Sequence, residues 1–345
     1  MPETVTSQRT DERTSFFTFV KTHTMDLLAY AGLAVMLILF LVFNSGPRLM
    51  YNFSAVVQAA AVYSILALGA VFIYSMGFMD VSLGQQIGVY VILMILIGNK
   101  IGGVPGVIVG FLLVLALALI CGAINGAVSI FLGLPSIVTS LFLMFFFTGA
   151  QYLLMESTGE NTIKLLQTVK PADRNTYTLL LIGIIALLAV IGTYFFNYTK
   201  LGKYTRAIGA NKVAAKQSGI SLVKWQVLGY MALGFCAAVA SFVMLTRTGT
   251  AGKGTGSGYA MDIMICLILG GMPLKGGMKS KISCALVGAF TYTLLSNVLT
   301  TMGVPLNWVN FVKACIFLII VLYPVGSLTG YFPGKQYTKK HQKWR

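Results

Sequence analysis

The chain has 345 residues, of which 57% are hydrophobic and only 10% charged, with a mean hydropathy of +0.83. Soluble domains carry roughly 25% charged residues, so this composition excludes a disordered chain, an ordinary nucleic-acid-binding domain and almost any water-soluble enzyme. The 25 Lys and Arg against 9 Asp and Glu give a net charge of +16. These basic residues fall mostly in short connections between apolar runs, which is the orientation signal of a bacterial inner-membrane protein rather than a footprint for nucleic acid.

Residues 1–24 are polar, carry both charge signs and lack the apolar core and cleavage site of a signal peptide; they are expected to form a cytoplasmic tail. Apolar runs follow at 25–44, 53–75, 82–98, 105–132, 135–154, 177–196, 225–246, 261–272, 282–302 and 308–325. A helix needs about 20 residues to cross the hydrocarbon core. The run 261–272 is too short to cross alone, so a discontinuous helix continued by the glycine-rich stretch before it is expected there. The fold class is therefore all-α: a polytopic membrane bundle of about ten transmembrane helices over residues 25–326, with a basic cytoplasmic tail at 327–345.

With the N terminus inside, the inner segments are 1–24, 197–224, 274–281 and 327–345. They hold 17 of the 25 Lys and Arg, the outer segments hold 7, and Lys313 lies within the last run. That bias fits ten crossings with both termini in the cytoplasm.

Cys121, Cys236, Cys266, Cys284 and Cys315 all lie inside apolar runs without CxxC spacing, and the two histidines, His23 and His341, lie near the termini. No disulfide framework, zinc site or histidine-based hydrolytic centre can be assembled from them. Gly102, Gly106 and Gly110 form a GxxxGxxxG ladder, and Gly122 and Gly126 a further small-xxx-small pair, as expected where helices approach closely in lipid. The stretch 249–258 fails as a phosphate loop: Arg247 stands where the first Walker glycine should be, and Gly254 where Ser or Thr should follow Lys253. By motif, this chain has no nucleotide site.

Asp80 and Asp262 are carboxylates at membrane depth, where a charge costs at least about 2.5–3.5 kcal/mol and must face the bundle interior or water. Each follows a methionine and opens an apolar run after a glycine-bearing break, a hint of an internal repeat 182 residues apart. They either line a translocation path on half-helices or cap helix N-termini. Ser82, Gln85, Asn125 and Asn297 are the polar side chains that join them as path candidates. Lys313 either pairs with a buried carboxylate or snorkels to the interface.

The polar stretch 197–224 carries six basic residues and no acid. Asn211 can cap a short helix through Val213–Gln217 that stops at Gly219. A basic topology loop needs only the lysines, not a capped, alanine-rich helix.

Its sequence TKLGKYTRAIGANKVAAKQSGI resembles the cytoplasmic loop of ABC-importer permeases of the ribose and branched-chain-amino-acid class. Three further stretches agree in chain order. GFMDVSLG at 77–84 is similar to the family's GGIDLSVG, LPSIVTSL at 134–141 to LPxFIVTL, and LGGMPLKGG at 269–277 to LGGxxLxGG. The departures are Phe78 for a second glycine, Met272-Pro273 for a small polar pair, and Gly258-Tyr259-Ala260-Met261-Asp262 where simple-sugar members usually carry Gly-Tyr-Glu-Leu-Asp. The resemblance covers roughly residues 50–325. It implies a type II-like importer permease that works with a second permease subunit, identical or not, with a cytoplasmic ABC ATPase and with an extracytoplasmic binding protein.

On that resemblance no cofactor belongs to this chain, and ATP and Mg belong to the partner ATPase. The docking element is then Gly209, Asn211, Ala214, Ala215, Ser218 and Gly219: Asn211 as cap, the alanines as a small face, the glycines as stops and Ser218 as a polar contact. The surrounding lysines suit an anionic partner surface or lipid headgroups. A ribose-like monosaccharide is the first expected solute, with nucleosides, autoinducer-type polyols and amino acids as alternatives. The rival of another class is a secondary transporter coupled to H⁺ or Na⁺ through Asp80 and Asp262.

Overall fold

The computed structural model describes residues 27–44, 47–166, 173–305 and 308–318, the side chains of residues 47 and 48 excepted. The expected tails at 1–24 and 327–345 lie outside the described residues, as do the start of the first apolar run and the end of the last. Ten apolar helices match the ten runs: α1 (Leu27–Phe43), α2 (Pro47–Ser75), α3 (Leu83–Ile101), α4 (Gly103–Phe131), α5 (Ser136–Glu156), α6 (Arg174–Asn197), α9 (Leu222–Thr248), α10 (Tyr259–Leu269), α11 (Ser283–Thr301) and α12 (Trp308–Leu318). Seven of these, α2 to α6 with α9 and α11, are long and apolar enough to cross a membrane. Between α6 and α9 lie two short polar helices, α7 (Lys200–Ala210) and α8 (Lys212–Gln217).

The core is the seam of α2, α3, α4 and α9. Glycine sets its spacing. A Cβ on Gly122 would stand 2.5 Å from the Tyr230 carbonyl oxygen, and one on Gly234 would stand 2.3 Å from that of Ala118. Thus α4 and α9 touch backbone to backbone, as the small-xxx-small pair predicts. Gly106 and Gly110 do the same for α4 against Gly98 and Met94 of α3.

Two non-helical segments enter the bundle. The first, 76–82, joins α2 to α3. Non-helical backbone is tolerated at membrane depth only when protein satisfies it. Here the Met79 N–H donates to Ser136 Oγ (3.3 Å) and the Val81 N–H to Ser140 Oγ (3.2 Å), both on α5. The Gly77 and Phe78 N–H groups donate to the carbonyls of Tyr74 and Ile73.

The second segment, 249–258, starts with β2 (Thr250–Gly252), which pairs antiparallel with β1 (Thr162–Lys164) in the register Ile163↔Ala251. Gln151 on α5 donates to the carbonyls of Gly252 and Thr255, each at 3.0 Å. The segment then runs along α3 until Gly256 abuts Gly84, where a Cβ on Gly256 would lie 1.9 Å from the Gly84 oxygen. There α10 begins, with Gly258 in the left-handed region at φ 87°. At 11 residues, α10 is about 16 Å long. The short run is thus a half-helix preceded by a glycine-rich chain, extended over Thr250–Gly252 and turning from residue 253 to 258.

One expectation is corrected and two elements are added. Gly209 is not a stop; it lies inside α7, where a Cβ would meet the Ser75 oxygen at 1.9 Å. α7, capped by Thr199, is an amphipathic helix in the part of the polar stretch that precedes the Asn211 cap. The ribbon of β1 and β2 was not anticipated, since its two short strands lie far apart in the chain.

Candidate functional site

The α7–α8 corner is built locally. The Asn211 side-chain oxygen accepts from the Val213 N–H (3.0 Å) and the Ala214 N–H (3.1 Å), which caps α8. Gly219, at φ 77°, ends it. Val213 is 65% exposed, and Ala214, Lys216, Gln217 and Ser218 are exposed with it. Ala215 is the exception: it is only 5% exposed and packs into the chain's own core, so it does not belong to the outward small face expected of it. A helix of six residues has one inward side, and Ala215 occupies it.

This corner is seated on the first break. The Gly277 N–H donates to the Ser75 carbonyl (2.8 Å) at the end of α2, where Gly209 makes its close approach. The Lys212 ammonium lies 4.3 Å from the ring centroid of Phe78. Phe78, which replaces a family glycine, therefore supplies a contact to the first residue of α8, worth about 0.5–1 kcal/mol at an exposed site.

Two residues further on, Asp80 is 2% exposed. Its Oδ1 accepts from the Ser82 N–H (2.8 Å) and Ser82 Oγ (2.5 Å), and its Oδ2 from Asn125 Nδ2 (2.9 Å) on α4. Gln86 Nε2 donates to Ser82 Oγ (2.6 Å), and Tyr90 Oη donates to Gln86 Oε1 (3.3 Å). Three of the path candidates, Asp80, Ser82 and Asn125, thus meet in one sealed network. Gln85 stands outside it, half-buried, and its neighbour Gln86 is the member. The N-cap position of α3 is Ser82, so Asp80 acts as an Asx-type turn that orders the approach to the helix. The Asn125 Oδ1 is buried without a partner among the described residues.

Asp262 belongs to a different place. Gly258 is the N-cap of α10, and Asp262 lies in its first turn, where the helix dipole favours a carboxylate. Tyr63 Oη donates to Asp262 Oδ2 (3.1 Å). Tyr63 stacks on Tyr259 (5.0 Å between centroids, 14° between planes) and meets Tyr292 edge-on (5.1 Å, 67°). Lys313 donates to Tyr292 Oη (3.0 Å). It therefore reaches a buried phenol, neither snorkelling nor pairing directly with the carboxylate. Asn297 on α11 joins neither network among the described residues, and its Oδ1 is buried without a partner. The three tyrosines escaped the sequence reading. Their signal was position: Tyr usually gathers at membrane interfaces, and Tyr63 and Tyr292 sit mid-run.

A profile described as the permease component of branched-chain amino acid transport systems matches residues 52–321. The chain belongs to this permease family. Among curated relatives, the ribose import permease protein RbsC of Escherichia coli strain K12 is 27% identical over 316 residues, covering 88% of this chain and 95% of the relative. The autoinducer 2 import system permease protein LsrC is 27% identical in Enterobacter sp. strain 638, over 86% of this chain and 85% of the relative. The Photorhabdus luminescens LsrC is 28% identical, over 78% and 80%. No solved structure matches the chain. As a member of the permease family it is a multi-pass membrane subunit of a transport system, without catalysis of its own; family membership implies a partner ATPase and a solute-binding protein.

Proposed function

We propose that this chain is the membrane-spanning half of an ATP-driven importer for a small neutral polyhydroxylated solute, with a ribose-like monosaccharide first and autoinducer-type polyols second. It works beside a second permease subunit in a bacterial inner membrane with both termini cytoplasmic. An extracytoplasmic binding protein delivers solute, and a cytoplasmic ABC ATPase holds ATP and Mg.

The observation that carries this reading is the α7–α8 corner. It is a capped, outward-facing helix, six basic residues surround it across 197–224, and it rests directly on the break that carries Asp80. A secondary transporter needs no such docking element. The relatives' names, ribose import and autoinducer 2 import, support one of these solutes over an amino acid. The docking face on this reading is Val213, Ala214, Gln217 and Ser218, held at its ends by Asn211 and Gly219, with Ala215 and Gly209 as its inward supports.

The test is pull-down of the ATPase with the permease, followed by D-ribose uptake into proteoliposomes with the binding protein present. Ala214→Trp places bulk on the exposed face and is expected to leave the permease folded while releasing the ATPase or stopping uptake. Normal attachment and uptake by this variant would overturn the docking assignment.

A further inference from the structure

The cluster around Asp262 lies midway along two of the long apolar helices. Tyr63 is near the middle of α2 (Pro47–Ser75) and Tyr292 at the middle of α11 (Ser283–Thr301). Midplane sites beside discontinuous helices are where transporters hold solutes. The cluster is also not sealed. Asp262 and Lys313 are both half-buried, and Met261 beside Asp262 is 55% exposed. A carboxylate and an ammonium at this depth cannot be left facing hydrocarbon. Their open side must face a wet path or another polar surface.

The chemistry of the open side is specific. Tyr63 and Tyr259, both half-buried, offer aromatic faces held rigid by their stacking, while Tyr292 is buried behind them and meets Tyr63 edge-on. Asp262 offers a carboxylate already engaged by one phenol, and Lys313 an ammonium engaged by another, lying 4.2 Å from the Tyr292 ring centroid. Acceptors, donors and ring faces together suit a neutral polyol: hydroxyls to the carboxylate and ammonium, C–H faces to the rings. A zwitterion would have to compete with the phenols for both charges, and an anion would meet Asp262.

We propose that Asp262, Tyr63, Tyr259 and Lys313 form a hydroxyl-recognising station for a neutral sugar on the route through the membrane, with the buried Tyr292 holding Tyr63 and Lys313 in place. This rests on the importer reading above and names the residues that would touch the solute.

The test uses the assembled importer in proteoliposomes with binding protein and D-ribose. Three quantities are read: co-purification of the full complex, stimulation of ATP hydrolysis by the loaded binding protein, and ribose delivered per ATP. Asp262→Asn is expected to lower ribose per ATP about tenfold, the scale of one strong hydrogen bond. Tyr63→Phe, which keeps the ring and removes one hydroxyl, is expected to lower it about threefold. Complex assembly and ATPase stimulation should persist in both. Unchanged ribose per ATP in both variants overturns the station. So does a loss that runs parallel with lost assembly or lost stimulation, which would mark a structural or subunit-contact role. A wild-type importer that hydrolyses ATP but moves leucine and not ribose overturns the sugar reading itself. That result is distinct, because it shows before any variant is made.

Discussion

Met-Asp stands in the break before α3 and again in the first turn of α10, yet the two carboxylates live in opposite settings. Asp80 is saturated by three donors from Ser82 and Asn125 and shut away from solvent, at the end of the bundle on which α7 and α8 rest. Asp262 is half open and meets phenols with an ammonium nearby. A carboxylate that needs every bond it has to stay buried is a structural part, and one with an open side can exchange partners. A shared dipeptide is thus compatible with two jobs, and the surroundings decide which.

The strongest way to break that contrast is truncation. Asp80→Ala would leave the Ser82 N–H, Ser82 Oγ and Asn125 Nδ2 facing an empty site, and the expected destabilisation is about 3 kcal/mol. Asp262→Ala loses one phenolic bond at a half-open site, with an expected cost of about 1 kcal/mol. Thermal unfolding of the detergent-solubilised permease compares the two directly. Equal losses would mean that Asp262 is as structural as Asp80.

Next in size is the support beneath the Asp80 break. Gly209→Ala puts a methyl group 1.9 Å from the Ser75 carbonyl oxygen, so α7 must move off the end of α2. Overpacking of this kind costs about 1–3 kcal/mol. Because Gly209 touches the Asp80 side of the bundle and not the Asp262 side, the variant should weaken ATPase attachment along with stability. A stable Gly209→Ala that still binds the ATPase would separate the corner from the break.

A conservative exchange sharpens the contrast further. In Asp80→Asn the amide oxygen can still accept from Ser82, and its new NH₂ would face Asn125. The unpartnered Asn125 Oδ1 can take that donor by a flip of the Asn125 amide. The expected stability change is below about 1 kcal/mol, and uptake should persist. Proton- or sodium-dependent uptake that Asp80→Asn uncouples would favour an ion-coupled transporter instead.

What the sequence made legible follows from which interactions are local. Apolar runs marked the ten apolar helices, seven of them long enough to cross a membrane, and the Asn211 cap and Gly219 stop of α8 were readable because both act within three residues of their targets. The inward turn of Ala215 was not, since periodicity over six residues cannot say which side meets α9. The Asp80 network was half legible: Ser82 and Asn125 are in it, but register along α3 selects Gln86 over Gln85. The Asp262 cluster was least legible, because its partners come from α2, α11 and α12, and only tertiary packing brings them together.

The smallest expected effect concerns a third aspartate, which shows what an ordinary cap looks like beside the other two. Asp173 precedes α6 and is exposed. Its Oδ2 accepts from the Thr176 N–H (2.9 Å) and Thr176 Oγ1 (2.7 Å). These bonds favour the ionised form and hold its pKa below the usual carboxylate value. For a folded-state pKa that is depressed, the stabilisation is fully present above the unfolded pKa and is lost as pH falls through the folded one. Lowering the pH from 7 into the acid range should therefore loosen the first turn of α6. Hydrogen exchange at the Thr176 amide is the measurement, and protection there should fall as Asp173 takes up its proton. Asp173→Asn keeps an acceptor oxygen without the charge, so its protection at that amide should show no such step. A wild-type profile as flat as that of Asp173→Asn would mean that the carboxylate charge contributes nothing to this cap.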